Sequence, residues 1–329
     1  MTPTRMCIDG HLDLAYLAMQ GVDMESPSPD RDRFGVNLPA LKAGGVGLCL
    51  ATIFTERGAD APWGYPADDD GSAAARAGRL QLRVYQGMEA RGAIRIVRRK
   101  ADLHAVGDGG PMHVVLLMEC ADPIESPEHA RWWFEQGLRV VGMAWAYGSR
   151  YCGGNAQDGP LSAQGRALVQ AFDALGVLHD ASHLSRQSFD DLMHTTDRCV
   201  VASHSNCAAI TADVPRHLTD TQIRAIAGRG GLCGLNLFGK FLAKDRPATL
   251  ADAVNHVLHV RTLAGSQAIA LGSDFDGGFT PLDCPAGAQR PEELPALEAA
   301  LAKAGLTAAD VQGFQHGNWL RVLQSALPD

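Results

Sequence analysis

Five side chains with metal-binding chemistry stand at the ends of short apolar runs in this sequence. They are His11, Asp13, Glu119, His183 and His204. His11 and Asp13 are two residues apart, and alternate residues of a β-strand face the same side, so this pair can bind one ion together. Imidazole nitrogen and carboxylate oxygen are ligands that catalytic zinc commonly takes. The five residues therefore predict a metal site.

Glu119 is the candidate bridge between two ions. A carboxylate has two oxygens, so one glutamate can hold two cations at the ~3.5–4 Å separation that two-metal hydrolases use. Zn²⁺ is favoured by this set of ligands, although Mn²⁺, Co²⁺ or Fe²⁺ can occupy similar sites. We therefore expect two divalent ions, with Zn²⁺ the first choice.

Eight short apolar runs predict the strands that carry these residues. Most show no alternation of polar and apolar residues, which is typical of parallel strands buried on both faces by helices. The runs span residues 6–8, 47–53, 114–118, 139–144, 177–179, 200–203, 232–237 and 268–272. Predicted helices lie between and after them, at 38–43, 73–91, 127–136, 162–175, 185–194, 219–229, 249–264, 294–304 and 308–327. Ser162 and Thr219 precede two of these helices as capping residues.

The alternation of strands and helices predicts a (β/α)8 TIM barrel. A doubly wound open sheet has the same alternation. The candidate ligands and Asp274 follow the first, third, fifth, sixth and eighth predicted strands. A closed ring brings the ends of these strands together, whereas an open sheet would spread them, so the barrel is favoured. The Pro/Gly/Asp-rich stretches 60–71 and 278–291 are expected to form long loops over its C-terminal face.

Composition narrows the class of protein and its partners. The chain has 329 residues, of which 46% are apolar and 20% charged, which suits one hydrolase domain over residues 1–329. The net charge of -8 and the absence of a long basic run argue against nucleic acid or an anionic membrane as a partner. A small-molecule substrate fits better. Without an apolar run of ~18 residues or a signal-like N-terminus, we expect a cytoplasmic protein, in which the eight scattered cysteines are reduced.

Six ordered motifs resemble the signatures of the membrane (renal) dipeptidase family, within the amidohydrolase superfamily. They are DGHLD at 9–13, MECAD at 118–122, DASHLS at 180–185, ASHSN at 202–206, PRHLTD at 215–220 and GSDFDG at 272–277. The similarity continues through GGLCGLN at 230–236 to GNWLR at 317–321, nearly the whole chain.

This resemblance implies a (β/α)8 barrel with a binuclear zinc centre that hydrolyses dipeptides. His11 and Asp13 would hold one zinc ion, His183 and His204 the other, and Glu119 would bridge them. The elementary chemistry agrees, because two divalent ions lower the pKa of a shared water and one can polarise the scissile carbonyl. The family often forms dimers, although the sequence identifies no interface.

The resemblance also assigns two residues that act on the substrate. Arg216 would bind the C-terminal carboxylate, and a guanidinium suits this task because its planar fork pairs bidentately with a carboxylate. Asp274 would act on the bridging water and then protonate the leaving amine. Asp276, two residues further on, is expected to orient a ligand histidine.

The fourth predicted strand departs from the family pattern. Trp145 stands where the best-known dipeptidases have a substrate-polarising histidine, and an indole offers one N–H donor and no acceptor. Stabilisation of the oxyanion would then fall more heavily on the metals. A dipeptide with a D-residue at its C-terminal end, or an N-acyl amino acid, is a plausible substrate. Trp145, Tyr147 and Tyr151 are candidates for the pocket wall.

Two alternatives remain open at the level of the sequence. The first keeps the barrel and changes the reaction to a metal-dependent deaminase, or a lactone or phosphoester hydrolase. Such relatives often have a His-x-His pair and a carbamylated lysine bridge, and Asp13 and Glu119 favour the dipeptidase instead. The second alternative is a non-catalytic metal-binding relative, for which Trp145 is the sole support.

Overall fold

Eight parallel strands of the computed structural model, which describes residues 6–69, 71–212 and 214–329, form the framework of the fold. They are β1 (Cys7–Leu12), β2 (Val46–Phe54), β3 (Met112–Glu119), β4 (Leu138–Gly142), β5 (Leu178–Asp180), β6 (Val200–Val201), β7 (Cys233–Leu235) and β8 (Ile269–Leu271). Each corresponds to one predicted apolar run. Additional short strands lie outside this set, at Glu56–Arg57, Gly64–Tyr65 and Ile94–Ile96.

The eight strands close into a ring. Strands β1 to β6 pair in sequence order, and β7 pairs with β8. A parallel bridge between Ala202 and Cys233 joins the end of β6 to β7. The backbone N–H of Asp274, just beyond β8, donates to the carbonyl of His11 on β1 at 3.3 Å. The predicted (β/α)8 barrel is therefore confirmed.

Helices surround the ring and connect successive strands. The α-helices span Leu14–Met19, Leu38–Ala43, Ser72–Ala90, Ala130–Glu135, Ala163–Leu175, Arg186–Thr195, Asp220–Gly228, Gly239–Leu242, Leu250–Ala264, Leu294–Lys303, Ala308–Gln312 and Asn318–Ala326. The predicted caps are present, since the side chains of Ser162 and Thr219 accept from the backbone N–H groups of Gly165 and Gln222. None of the helices in the described part of the chain is both long and apolar enough to cross a bilayer.

The last helical segment differs from the prediction of one continuous helix over 308–327. A π-helical turn, Gly313–Gly317, interrupts it. Just after this turn, the side-chain amide of Asn318 donates to the carbonyls of Ser266 and Ile269, both at 2.8 Å. These bonds tie the helix to the start of β8. The helices Leu14–Met19 and Gly239–Leu242 and the strand Ile94–Ile96 lie outside the predicted segments.

One of the two apolar clusters fills the barrel, and its pattern determines which side chains point to the axis. It takes residues from or next to every strand, together with Trp319 from the last helix, whose indole N–H donates to the carbonyl of Leu271. On β3, Val115 and Leu117 belong to this cluster, whereas Val114, Leu116 and Met118 pack against the helices. Glu119 has the same parity as Val115 and Leu117, so its carboxylate points to the axis at the C-terminal end of the strand.

Three glycines leave room for one backbone carbonyl inside the ring. A Cβ atom on Gly234 would lie 1.7 Å from the carbonyl oxygen of Ser203, and one on Gly272 would lie 1.8 Å from it. A Cβ on Gly10 would lie 2.8 Å from the same oxygen and 2.4 Å from the ring of Trp319. The segment after β6 can therefore approach β1, β7 and β8 closely only because these positions lack side chains.

We expect Gly234→Ala to lower the free energy of unfolding by about 1–3 kcal/mol or more, because its methyl group meets backbone that cannot rotate away. Gly228→Ala is the matched control. Gly228 is exposed at the end of the helix Asp220–Gly228, and its new Cβ would meet no atom within 4 Å outside the helix's own backbone, so the change should be neutral or slightly stabilising. Urea unfolding of the two variants measures the difference. Equal stability of both variants would contradict the close approach.

Candidate metal centre and its cavity

The structure brings together all five predicted ligands at the C-terminal end of the barrel. One oxygen of Glu119, Oε1, lies 3.0 Å from His183 Nε2 and 3.5 Å from His204 Nε2. The other oxygen, Oε2, lies 3.3 Å from His11 Nε2, which is 3.8 Å from Asp13 Oδ1. The two oxygens of Glu119 thus face different histidines, as a bridging carboxylate requires.

Two overlapping sets of these residues have the spacing of a metal site. Ligand atoms of His11, Glu119 and His204 lie within 4.8 Å of one another, and so do those of His11, Asp13 and Asp274. All of these residues are buried. The rings of His11 and His204 are close, with centroids 3.6 Å apart. Asp274, predicted as the proton shuttle, is therefore part of the same group.

The far nitrogens of the three imidazoles are held by neutral polar side chains. His183 Nδ1 lies 2.9 Å from Asn155 Oδ1. His204 Nδ1 and His11 Nδ1 lie 2.8 Å and 3.4 Å from the hydroxyl of Ser203. Such contacts fix the orientation of each ring and leave Nε2 for the centre, which is the usual arrangement around a ligand histidine.

Two residues of the centre, His183 and Asp274, have a left-handed backbone conformation that sets the direction of their side chains. His183 has φ 65° and Asp274 has φ 58°, values that residues other than glycine seldom adopt. The carboxylate of Asp274 packs against Gly277, where a side chain would not fit, because a Cβ there would lie 2.1 Å from Asp274 Oδ1. Conformations of this kind cost about 1–3 kcal/mol and cluster at functional sites.

Burial and neighbouring charges shift the pKa values of the histidines in opposite directions. Burial lowers the pKa of His183 to about 4, and the nearby charge of Arg216 adds to this effect. Burial likewise lowers the pKa of His204 well below its usual value. Burial also opposes protonation of His11, but the charges of Glu119, Asp13 and Asp274 and the contact with Glu119 together outweigh it and raise the pKa of His11 to about 10. His183 and His204 are therefore neutral, the form that binds metals.

The carboxylates of the centre lack enough positive charge around them. Burial, with repulsion from the neighbouring acids, raises the pKa of Asp13 to about 7 and that of Asp274 to about 6. Glu119 resists the effect of burial because His11 and His183 hold its pKa below the usual range. Three buried carboxylates beside the neutral imidazoles of His183 and His204 form a set that divalent cations would complete. The residues present thus fit the predicted metals.

A cavity of about 410 Å³ opens directly above the centre. Its wall consists of Asp13, Tyr16, Phe54, Glu56, Glu119, Trp145, His183, His204, Arg216, Phe238, Phe241, Asp274, Gly277, Gly278 and Phe279. The predicted substrate residues Arg216, Asp274 and Trp145 all line it. Gly278 and Phe279 belong to the predicted loop 278–291, which does cover this face of the barrel.

Arg216 is anchored at the end of β6 and remains available to a ligand. Its Nη1 donates to the hydroxyl of Ser205 at 2.8 Å, and its Nη2 donates to the carbonyl of His204 at 2.7 Å. The guanidinium carbon lies 5.2 Å from the ring centre of Phe241. Its Nε–H has no hydrogen-bond partner among the described residues. A buried guanidinium with an unused donor is suited to binding an anion.

Of the three predicted aromatic wall residues, Trp145 alone is confirmed as lining the cavity. Its ring lies 5.2 Å from that of Phe54 and 6.2 Å from that of His183. Tyr147 contacts the outer side of Trp145 but is 57% exposed. The expectation for Tyr151 is wrong, because this residue is fully buried and its hydroxyl donates to the carbonyl of Ile124. Tyr151 lies in the irregular segment between β4 and the helix Ala163–Leu175, where the sequence gives no sign of this packing.

The expected role of Asp276 is also not found. The far nitrogens of the three predicted ligand histidines contact Ser203 and Asn155, and Asp276 is buried beside Asp13 instead. Asn155 lies in a glycine-rich loop, where the sequence carries no signal for its role. Ser203 lies within the predicted strand 200–203, and Tyr16 follows the DGHLD motif by three residues, but their side chains are common on such segments.

Comparison with known proteins gives one family for almost the whole chain. The model of the membrane dipeptidase family, peptidase family M19, matches residues 2–327. A protein of Klebsiella pneumoniae encoded in the pqqA 5′ region is 30% identical over 249 residues, 71% of this chain and 89% of its own length. The dipeptidase tcpJ of Claviceps purpurea is 30% identical over 193 residues, 57% of this chain and 44% of its own length.

Two solved structures have the same fold over nearly their full lengths. The dipeptidase AC, a metallopeptidase, has a TM-score of 0.85 and 27% identity, with 99% of this chain and 100% of that chain covered. A metallopeptidase from Rhodobacter sphaeroides, liganded with a phosphinate mimic of the dipeptide L-Ala-D-Ala, has a TM-score of 0.87 and 25% identity. That match covers 98% of this chain and 99% of the other.

Removal of divalent metal with a chelator should lower the melting temperature, because the buried carboxylates lose the cations that offset their charge. Restoring Zn²⁺ at a hundred times its Kd should return ~2.7 kcal/mol of stability. The variant Glu119→Gln should bind less metal and respond weakly to both treatments. Differential scanning calorimetry with metal analysis measures these changes. A melting temperature indifferent to metal in the unaltered protein would refute the metal centre.

Proposed function

Because this chain belongs to the membrane dipeptidase family and is by that membership a metal-dependent peptidase, we propose that it hydrolyses dipeptides with two divalent ions in the centre described above. His11 and Asp13 would hold one ion, His183 and His204 would hold the other, and Glu119 would lie between them as the shared ligand. Zn²⁺ is the proposed metal, since histidine and carboxylate ligands favour it. The observation that carries the proposal is the position of Glu119 within 3.5 Å of three histidine nitrogens.

The metals supply the activation that no side chain of the cavity can provide. When bound, two divalent ions lower the pKa of a shared water and polarise the scissile carbonyl. The side chains of the chain then position the substrate and move protons. Burial of the centre at the bottom of the cavity strengthens these electrostatic effects.

Asp274 is the proposed proton shuttle. Its Oδ2 accepts a hydrogen bond from the side-chain amide of Asn236 at 2.8 Å, which fixes the carboxylate at the cavity floor. Burial raises its pKa to about 6, close to the pH at which a general base works best. Asp274 takes a proton from the attacking water and passes it to the nitrogen of the leaving amine when the peptide bond breaks.

Arg216 is the proposed binding site for the C-terminal carboxylate of the substrate. Its bonds to Ser205 and His204 use one hydrogen on each terminal nitrogen, so further N–H groups can still donate. Because these anchors follow β6, next to the ligand His204, the guanidinium holds the substrate against the metal centre.

A dipeptide with a D-residue at its C-terminal position is the proposed preferred substrate. The Rhodobacter sphaeroides protein, at 25% identity over nearly the whole chain, binds a mimic of L-Ala-D-Ala. Trp145 contributes at most one N–H to the transition state, and its ring forms an apolar wall beside His183. Parallel assays of L-Ala-D-Ala and L-Ala-L-Ala with the zinc-loaded protein test this preference. Turnover of neither peptide would refute the proposed function.

Asp274→Asn should reduce kcat for L-Ala-D-Ala by about 100- to 10,000-fold, because the amide cannot shuttle a proton. Metal content should stay near that of the unaltered protein, since the proposed ligands are intact. Asp197→Asn, in which a fully exposed carboxylate is changed in the same way, is the control. Steady-state kinetics and metal analysis on the same samples measure both quantities. Retention of kcat by Asp274→Asn would exclude Asp274 as the shuttle.

Arg216→Lys should raise KM for the dipeptide by about 10- to 100-fold while changing kcat less, because lysine keeps the charge but loses the bidentate fork. The C-terminally amidated dipeptide provides the comparison. It lacks the carboxylate, so the unaltered protein should already bind it poorly, and the substitution should have little further effect on its KM. An equal rise of KM for both peptides would show that Arg216 does not contact the carboxylate.

A further inference from the structure

A second charged side chain lines the cavity at a place that the metal centre does not explain. Glu56 follows β2 by two residues and belongs to the cavity wall. The hydroxyl of Tyr16 donates to its Oε2 at 3.1 Å, which orients the carboxylate. Burial, together with the charge of Glu56, raises the pKa of Tyr16 to about 12, so this hydroxyl stays a donor. Within the described ranges, no basic side chain forms an ion pair with Glu56.

The order of strands places Glu56 across the cavity from Arg216. Glu56 follows β2, and Arg216 is anchored to residues that follow β6. In a ring of eight strands in sequence order, β2 and β6 are separated by three strands on either side. The two side chains therefore stand on opposite sides of the mouth, with the metal centre between them. Their charges are of opposite sign.

Glu56 and Arg216 lie near different sets of aromatic rings. The ring centre of Tyr16, which contacts Glu56, lies 5.4 Å from that of Phe54 and 5.6 Å from that of Trp63. The ring of Phe54 in turn contacts that of Trp145. Arg216 has its own aromatic neighbour in Phe241, which contacts Phe238. Aromatic faces beside a carboxylate favour an organic cation, because both attract positive charge.

We propose that Glu56 binds the α-ammonium group of the substrate, so that the preferred substrates are dipeptides with a free N-terminus and not N-acyl amino acids. This inference rests on the proposed function. A free dipeptide is a zwitterion whose charges lie at its two ends, on either side of the scissile bond. Arg216 takes the carboxylate, Glu56 takes the ammonium group, and the peptide bond between them lies over the metals.

The competing explanation is that Glu56 only holds Tyr16 in place. Loss of a structural contact would impair every substrate to a similar degree. Loss of an ammonium site would instead impair substrates that carry the charge and spare those that lack it. The comparison of a free dipeptide with its N-acetyl derivative therefore separates the two roles.

The test uses zinc-loaded Glu56→Gln, Tyr16→Phe and, as a matched control, Glu135→Gln, whose side chain is exposed on an outer helix. We expect the ratio of kcat/KM for L-Ala-D-Ala to that for N-acetyl-L-Ala-D-Ala to fall about 10- to 100-fold in Glu56→Gln, the loss of one charge-assisted hydrogen bond. The ratio should fall less in Tyr16→Phe, which keeps the carboxylate, and should not change in Glu135→Gln.

Binding of a phosphinate dipeptide mimic provides a readout without turnover. Calorimetry should show that Glu56→Gln weakens binding of the free mimic by a similar factor and reduces the difference between the free and the N-acetylated mimic. An unchanged ratio in both experiments would overturn the role of Glu56. If the unaltered protein hydrolyses neither peptide, the proposed function itself fails. If it hydrolyses both equally well, the function stands and the ammonium site is refuted.

Discussion

The contact of one buried carboxylate with three imidazoles governs the rest of this structure. Glu119 sits on the barrel axis because its parity on β3 is that of the apolar residues that fill the barrel. Each of its oxygens faces histidines that come from other strands. A buried anion of this kind is costly unless positive charge accompanies it. The strands of the ring therefore have to place groups around Glu119 that can offset its charge.

The barrel meets this demand by bringing the segment after β6 unusually close to its neighbours. Ser203 contributes twice, since its hydroxyl contacts the far nitrogens of His204 and His11, and its carbonyl fits between three glycines. Gly10 in the DGHLD motif and Gly272 in the GSDFDG motif thus have a steric role beside the proposed site residues in the same motifs. The residue types in these motifs therefore reflect the close packing of the strands as well as the chemistry of the site.

Much of this arrangement could be predicted from the sequence, for a definite reason. Polar residues that follow apolar runs are visible in one dimension, so His11, Glu119 and His183 could be placed at strand ends and, with the family resemblance, given roles. Contacts that depend on how loops fold back are not visible in this way. Asn155 and Glu56 reach the site from segments without a regular period. Tyr151 lies away from the cavity, with its hydroxyl bonded to a backbone carbonyl. The π-helical turn at Gly313–Gly317 likewise accompanies a contact that the sequence does not show, the hydrogen bond from Asn318 to Ile269 on β8.

Glu56 follows β2, and Arg216 is held by residues that follow β6 on the other side of the ring, and their proposed roles have a consequence for the length of the ligand. Two fixed charges across a cavity of about 410 Å³ act as a molecular ruler. In the proposed binding mode, both termini of a dipeptide are paired with a charge of opposite sign. An added residue at either end would move one terminus past its counter-charge or lift the scissile bond away from Glu119, so this binding mode selects against longer peptides.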